Sequence, residues 1–276
     1  MEKANKGTYA TVLVMALLVF AGCVGNDQGK QKQALTISGS TTVQPVAAKA
    51  AEEYMKENTD VTVSVQGGGS GTGIKMVSEG SVNIGTSSRD LTQDEINAGN
   101  LKVYEIAADG IAVIVHPGNT LTDLTKQQIQ DIFSGKITNF KDLGGPDKRI
   151  VVIIRESGSG TRSSFEEMIM DKGKTNNTES AEQQPSNGAV KSTVESNPNA
   201  IGYISAGYLD DTVKGLTVAG VAPSKESIKA GTYPISRKLY MVTKGEAIGK
   251  AKNFIDYILS DEGQGIVEEE GFVSVR

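Results

Sequence analysis

Three short stretches rich in Gly, Ser and Thr have the residue types to hold a small anion. They are Gly39-Ser40-Thr41-Thr42, Gly67-Gly68-Gly69-Ser70-Gly71-Thr72-Gly73 and Arg155-Glu156-Ser157-Gly158-Ser159-Gly160-Thr161-Arg162. Each follows a strand-like run and opens a helix-like one. The first turn of a helix leaves backbone N–H groups unpaired and carries partial positive charge, so an anion can rest there without a metal. Glycine lets the backbone come close to a ligand, and hydroxyls add donors that also accept. Arg155 adds a permanent charge and two parallel N–H donors, which suit an oxyanion better than a lysine would. Three such cradles in one chain predict a small oxyanion gripped from several sides.

The elements that must position these stretches alternate strand and helix, the pattern of an α/β protein. Leu35-Thr36-Ile37-Ser38, Val61-Thr62-Val63-Ser64-Val65 and Val82-Asn83-Ile84-Gly85 read as strands, and the last runs into a fourth polar stretch, Thr86-Ser87-Ser88-Arg89-Asp90. Ile111-Ala112-Val113-Ile114-Val115 and Ile150-Val151-Val152-Ile153-Ile154 are continuous apolar runs, as expected of strands buried on both faces. Helical spacing follows Pro45, and Thr125-Lys126-Gln127-Gln128 reads as a capping box. Phe165, Met168 and Ile169 give the segment after Arg162 a buried side, and residues 172–186 read as a polar surface loop. Later come the strands 200–204 and 239–242 and an amphipathic helix around Phe254, Ile255, Ile258 and Leu259.

Composition removes several classes of function. The 276 residues, 38% of them hydrophobic, are enough for one large domain or two moderate ones. A net charge of -5 and a pI near 5.2 argue against a broad basic face for nucleic acid. One Cys and one His leave no internal disulfide, no Cys/His zinc site and no Cys-His nucleophile pair, and no metal site is expected. A phosphate-ester hydrolase using Ser159 or Thr161 as nucleophile would lack a His base and a cluster with metal-ligand spacing. His116, ahead of Pro117-Gly118, reads as structural, and Asp109 reads as a turn residue rather than a base.

At the N-terminus, Lys3 and Lys6 precede an apolar run over 10–21, too short to span a membrane but suited to a signal-peptide core. Val19-Phe20-Ala21-Gly22-Cys23 resembles a lipoprotein signal, with Phe20 where Leu is usual. On that reading residues 1–22 are removed, Cys23 takes a lipid, and 23–34 form a polar tether reaching roughly 18 Å. The compartment expected is the outer face of the cytoplasmic membrane.

Taken in order, Ile37-Ser38-Gly39-Ser40-Thr41-Thr42-Val43-Gln44-Pro45, the 67–73 glycine stretch, Ile84-Gly85-Thr86-Ser87-Ser88-Arg89, 155–161 and Ala200-Ile201-Gly202-Tyr203 resemble the phosphate-binding lipoproteins of high-affinity phosphate import systems. The resemblance runs from about residue 35 to the C-terminus. It implies a two-lobed, hinged periplasmic-binding-protein architecture of type II-like form, each lobe a sheet flanked by helices, closing on inorganic phosphate. Delivery to an ABC permease with its ATPase follows from the same resemblance, with no cofactor and a monomeric state. Lobe 1 is expected over 35–110 plus 236–276 and lobe 2 over 111–235, with crossovers near Ile111 and near Pro234-Ile235-Ser236. Carried over by motif, the ligand contacts are Thr41, Thr42, Ser70, Ser88, Arg155, Ser159, Gly160 and Thr161, with Ser40 and Arg89 as loop neighbours. Members that reject sulfate often carry Asp where this chain has Ser88, so sulfate, molybdate or tungstate remain alternative ligands.

Overall fold

The computed structural model describes residues 32–276. The expectations for the signal segment and for Cys23 fall outside the described residues. In chain order the elements are β1 (Gln33–Gly39), α1 (Gln44–Glu57), β2 (Val61–Gly67), α2 (Ser70–Ser78), β3 (Ile84–Ser87), α3 (Gln93–Gly99) and β4 (Leu101–Val115). Then come β5 (Asp123–Leu124), α4 (Lys126–Phe133), β6 (Val151–Arg155), α5 (Gly160–Ile169), β7 (Glu182–Gln184), α6 (Asn187–Ser196) and β8 (Ala200–Ser205). The chain ends with β9 (Lys214–Gly215), β10 (Thr217–Val218), α7 (Lys225–Lys229), β11 (Ser236–Lys244), α8 (Gly249–Ile258) and α9 (Asp261–Glu269).

Strand order is β2-β1-β3-β11-β4-β8-β6-β7, with β9 also on β4, while β5 and β10 form a separate two-stranded ribbon. Parallel pairs β1–β2 and β1–β3 set the C-terminal ends of β1, β2 and β3 side by side, and parallel pairs β6–β8 and β6–β7 align the end of β6 with its neighbours, each where a polar stretch begins. In open α/β sheets this is where ligands bind.

The central feature is β4, which changes partner midway. Its first ten residues pair antiparallel with β11, from Leu101 opposite Lys244 to Gly110 opposite Ser236, and its last five pair with β8, from Ile111 opposite Ser205 to Val115 opposite Ile201. Hydrophobic side chains divide at the same place. One core draws on residues 35–107 and 239–272, another on 111–235 with Val273. A smaller cluster around Val190, Val194 and Ile204 covers the other face of β6 and β8. The first core centres on Phe254 edge-on to Tyr54 at 5.4 Å; the second holds Phe165 stacked on Tyr203 at 4.0 Å with Phe133 beside both.

Three expectations are corrected. Asp109 is not a turn residue but lies inside β4 with 1% of its surface exposed. The Asp109-Gly110 pair resembles a turn because both residues favour one. Gly110 is needed instead for space: a β-carbon there would sit 2.8 Å from Ile228 and 3.1 Å from the Tyr233 ring. Gln33 and Ala34, assigned to the tether, are ordered in β1 opposite Val61 and Thr62, because this pairing gives their backbone groups partners. The polar stretch 172–186 ends in β7, an edge strand parallel to β6.

Candidate anion-binding site

Four helix N-termini meet between the two cores. At the first, Ser40 Oγ accepts from the backbone N–H of Thr42 at 3.2 Å and of Val43 at 3.4 Å, leaving Thr41 and Thr42 to face the other elements. Gly39 (φ 141°) makes the preceding bend, where a side chain would collide with the Thr86 backbone. The second is α2, opened by Gly69 (φ 90°), with Ser70 fully buried. The third is α5, capped by Ser159, whose Oγ accepts from Arg162 N at 3.2 Å. The fourth is α6, capped by Ser186, with Asn187 fully buried in its first turn.

Direct contacts join these elements across the division between the cores. The hydroxyls of Thr42 and Thr161 lie 3.2 Å apart, and Gly71 N donates to Gly158 O at 3.0 Å. Ser164 Oγ donates to Ser88 O at 3.2 Å. Tyr208 donates its phenol proton to Thr41 O at 2.6 Å, and burial pushes that phenol up to about 12. Ser88 N donates to Ser70 Oγ at 3.0 Å, and the two hydroxyls are 3.4 Å apart. Gly160 closes over this pair: a β-carbon there would overlap the Ser70 hydroxyl and stand 2.7 Å from Ser88 Oγ.

Arg155 ends the buried strand β6 with 1% exposure. Its Nε and Nη2 each donate to Glu156 at 2.8 Å, and Nη2 also donates to Thr41 Oγ1 at 3.2 Å. Nη1 is buried and finds no partner among the described residues. A buried guanidinium N–H left without an acceptor costs free energy, on the order of 1–3 kcal/mol or more for a charged group, so Nη1, on the guanidinium that also reaches the Thr41 hydroxyl, is a donor an oxyanion could satisfy. Glu156 offsets the charge of Arg155, so the cluster offers directed donors more than net positive charge.

Of the residues expected here, Thr41, Thr42, Ser70, Ser88, Arg155, Gly160 and Thr161 come together. Ser40 and Ser159 sit in the same loops with their oxygens engaged, Ser40 in the turn ahead of α1 and Ser159 as the cap of α5. Arg89 is separate: its guanidinium forms a paired contact with Glu95, at 2.7 and 2.9 Å, and donates to Asp90 O at 2.9 Å. The physical reason is the capping box of α3, in which Glu95 is held at the N-terminus by Thr92 and stands within reach of Arg89. That guanidinium pulls the Glu95 carboxyl below its ordinary value despite partial burial.

Sequence reasoning missed Asn187 and Arg237. Arg237 faces Asp109 across β11 and β4, donating to Asp109 Oδ2 from Nε at 2.9 Å and from Nη2 at 2.7 Å. Its remaining donors reach Ser88 O at 3.1 Å and Thr42 Oγ1 at 3.1 Å. Burial pushes the Asp109 carboxyl up and the Arg237 guanidinium down from their ordinary values, and each charge opposes the shift of the other. No group of His, Cys, Asp and Glu able to hold a metal ion occurs among the described residues.

Known proteins match this architecture along nearly its whole length. The PBP superfamily domain matches residues 25–262. The phosphate-binding protein PstS of Bacillus subtilis is 37% identical over 99% of this chain and 95% of its own length. The chain belongs to the PstS phosphate-binding protein family. A second PstS, from Borreliella burgdorferi, is 34% identical over 96% of this chain and 97% of its own length. Among solved structures, a phosphate ABC transporter substrate-binding protein from Clostridium perfringens with bound phosphate superposes with a TM-score of 0.85 at 45% identity, covering 88% of this chain and 100% of that one. An ABC-type phosphate transport receptor from Vibrio cholerae gives 0.73 at 34% identity, covering 87% and 99%. The two-lobed α/β architecture of the PstS family is therefore that of this chain.

Proposed function

We propose that this protein captures inorganic phosphate outside the cytoplasmic membrane and hands it to an ABC permease. It does so as a binding protein and not as an enzyme. The observation that carries this reading is Arg155 Nη1, a buried charged donor without a partner among the described residues, on a guanidinium whose Nη2 reaches the Thr41 hydroxyl ahead of α1. Hydrogen bonds to a charged group contribute about 1.5–3 kcal/mol each, and micromolar affinity needs about 8 kcal/mol net, so several such donors suffice after ordering costs. Thr41, Thr42, Ser70, Ser88, Arg155, Gly160 and Thr161 are the contacts assigned, with Ser159 and Ser40 holding the loops. Lobe 1 is assigned to 35–110 with 236–276 and lobe 2 to 111–235. Support comes from the exchange of strand partners at Gly110 and Ile111 and from the separate cores.

The protein acts as a lipid-anchored monomer, held by Cys23 and a short polar tether. No described helix is long and apolar enough to cross a membrane. A second reading, another tetrahedral oxyanion such as sulfate or molybdate, is favoured by one observation: the Ser88 hydroxyl occupies a position where a carboxylate would repel a fully ionised anion. A thermal-shift series with phosphate, arsenate, sulfate and molybdate separates the two. Phosphate and arsenate are expected to raise Tm at concentrations where sulfate and molybdate do not. Equal shifts by all four would replace phosphate with a general oxyanion.

A further inference from the structure

A closed ring of buried polar groups lies behind the anion site. Arg237 Nη2 donates to Thr42 Oγ1 at 3.1 Å, and Asn187 Nδ2 donates to the same oxygen at 2.9 Å. Asn187 Oδ1 accepts from Ser205 N at 3.2 Å, Ser205 Oγ donates to Asp109 Oδ1 at 2.8 Å, and Asp109 Oδ2 holds Arg237. The Asn187 amide has one chemically sensible orientation here, because a backbone N–H must find the carbonyl oxygen and not the NH2 group. Thr42 and Arg237 belong to one side of the division between the cores, Asn187 and Ser205 to the other, so the ring is complete only with both sides together.

The hydroxyl chemistry is then determined. A threonine oxygen has two lone pairs and one proton. Both lone pairs of Thr42 are filled by donors that cannot accept, so the hydroxyl must give its own proton outward. Its targets are Thr161 Oγ1, 3.2 Å away, and an anion between the helix N-termini. If Thr161 accepts, its own proton is passed on in turn. Thr41 is arranged alike, receiving Arg155 Nη2 at 3.2 Å and Asn187 Nδ2 at 3.4 Å. Ser88 Oγ, by contrast, has the Ser70 hydroxyl at 3.4 Å as its one hydroxyl neighbour and keeps acceptor capacity for a protonated oxygen of the ligand.

We infer that Arg237 and Asn187 are positioning residues that commit the Thr42 hydroxyl to donation, with Asp109 holding Arg237 in place for this role. The inference rests on the phosphate reading of the site and deepens it. It assigns this corner to ligand oxygens without a proton and leaves Ser88 for the protonated one.

A double-mutant cycle measured by calorimetric titration with inorganic phosphate tests it. In the native protein, Thr42→Val is expected to weaken phosphate binding at least tenfold and Thr42→Ser to retain it. In an Arg237→Gln/Asp109→Asn background, which removes both charges together and leaves neither stranded, the same Thr42→Val change is expected to alter affinity less than threefold. An unchanged tenfold effect in both backgrounds would overturn the inference, since a merely structural Arg237 predicts simple additivity. If the double background does not unfold cooperatively, Arg237→Lys takes its place, keeping the charge while losing the second arm to Thr42, with the same two outcomes. A native protein that binds sulfate or molybdate instead of phosphate would overturn the phosphate reading alone, and the cycle would then be read with that anion.

Discussion

Replacing Gly160 by Ala tests whether the two sides of the site must close to near contact. The added β-carbon would overlap the Ser70 hydroxyl and lie 2.7 Å from Ser88 Oγ, whereas ordinary contacts begin at 3.4 Å. Relief of both clashes requires the loops to separate by about 1 Å, given the stiffness of close-packed interiors. The Thr42–Thr161 approach of 3.2 Å and the Gly71–Gly158 bond of 3.0 Å would then exceed hydrogen-bond range. An anion held from both sides would lose about two charge-assisted bonds, roughly 3 kcal/mol, or about a hundredfold in affinity. The fold itself should not suffer. Gly160 has no positive φ, so alanine strains no backbone angle there, and its cost falls on the contacts between the two sides. Calorimetry and thermal melts on the same variant should therefore diverge: an unliganded Tm near the native value, with the phosphate-induced increase largely gone. Binding within threefold of native would refute the close-contact geometry.

Further expectations follow from other parts of the molecule. Arg155→Lys retains charge but loses the planar fork, and should weaken phosphate by about 30- to 100-fold in a titration, the equivalent of about 2–3 kcal/mol. Ser88→Asp should lower sulfate affinity relative to phosphate by at least tenfold in competition binding, because the carboxylate accepts a proton-bearing oxygen and repels a bare one. Phe254→Ala, at a fully buried position against Tyr54, should cost about 3–5 kcal/mol, a Tm loss of roughly 10 °C by calorimetric scan. Glu95, with its folded pKa held below the unfolded one by Arg89, contributes stability above the unfolded value. That contribution is lost as pH falls through the folded value. Unfolding free energies from urea titration between pH 6 and 3 should decline less for Glu95→Gln than for the native protein, by up to about 1 kcal/mol for this partly exposed pair.

The positions legible in the sequence were those whose place in the fold is set by local pattern. Arg155 could be placed because the apolar run 150–154 reads as a buried strand, which fixes its end at a polar, glycine-rich turn. Thr41, Ser70 and Thr161 were legible for the same reason. What escaped were contacts set by strand partners far apart in sequence. Arg237 carries no local signal and is buried against Asp109 only through the register of β11 on β4. Asp109-Gly110 has turn composition, overridden by pairing on both sides. Asn187 follows a polar stretch without periodicity, although Ser186-Asn187 is itself a helix-start signal, an N-cap residue followed by the first helical position. For Arg89, the spacing Thr92 to Glu95 held the needed clue: a capping box places its carboxylate where a nearby arginine will pair with it. Edge strand β7, Glu182–Gln184, carries no apolar residue and had no signal to find.

The central claim is that one oxyanion is bound at Arg155 between the two sides, and that it is phosphate. Titration of the native protein and of Arg155→Ala with inorganic phosphate, each followed by sulfate, tests this most directly. The result expected is a single phosphate bound per chain, its heat abolished in Arg155→Ala, and no comparable heat from sulfate. Phosphate binding that survives the loss of Arg155, or sulfate bound as tightly by the native protein, would contradict it.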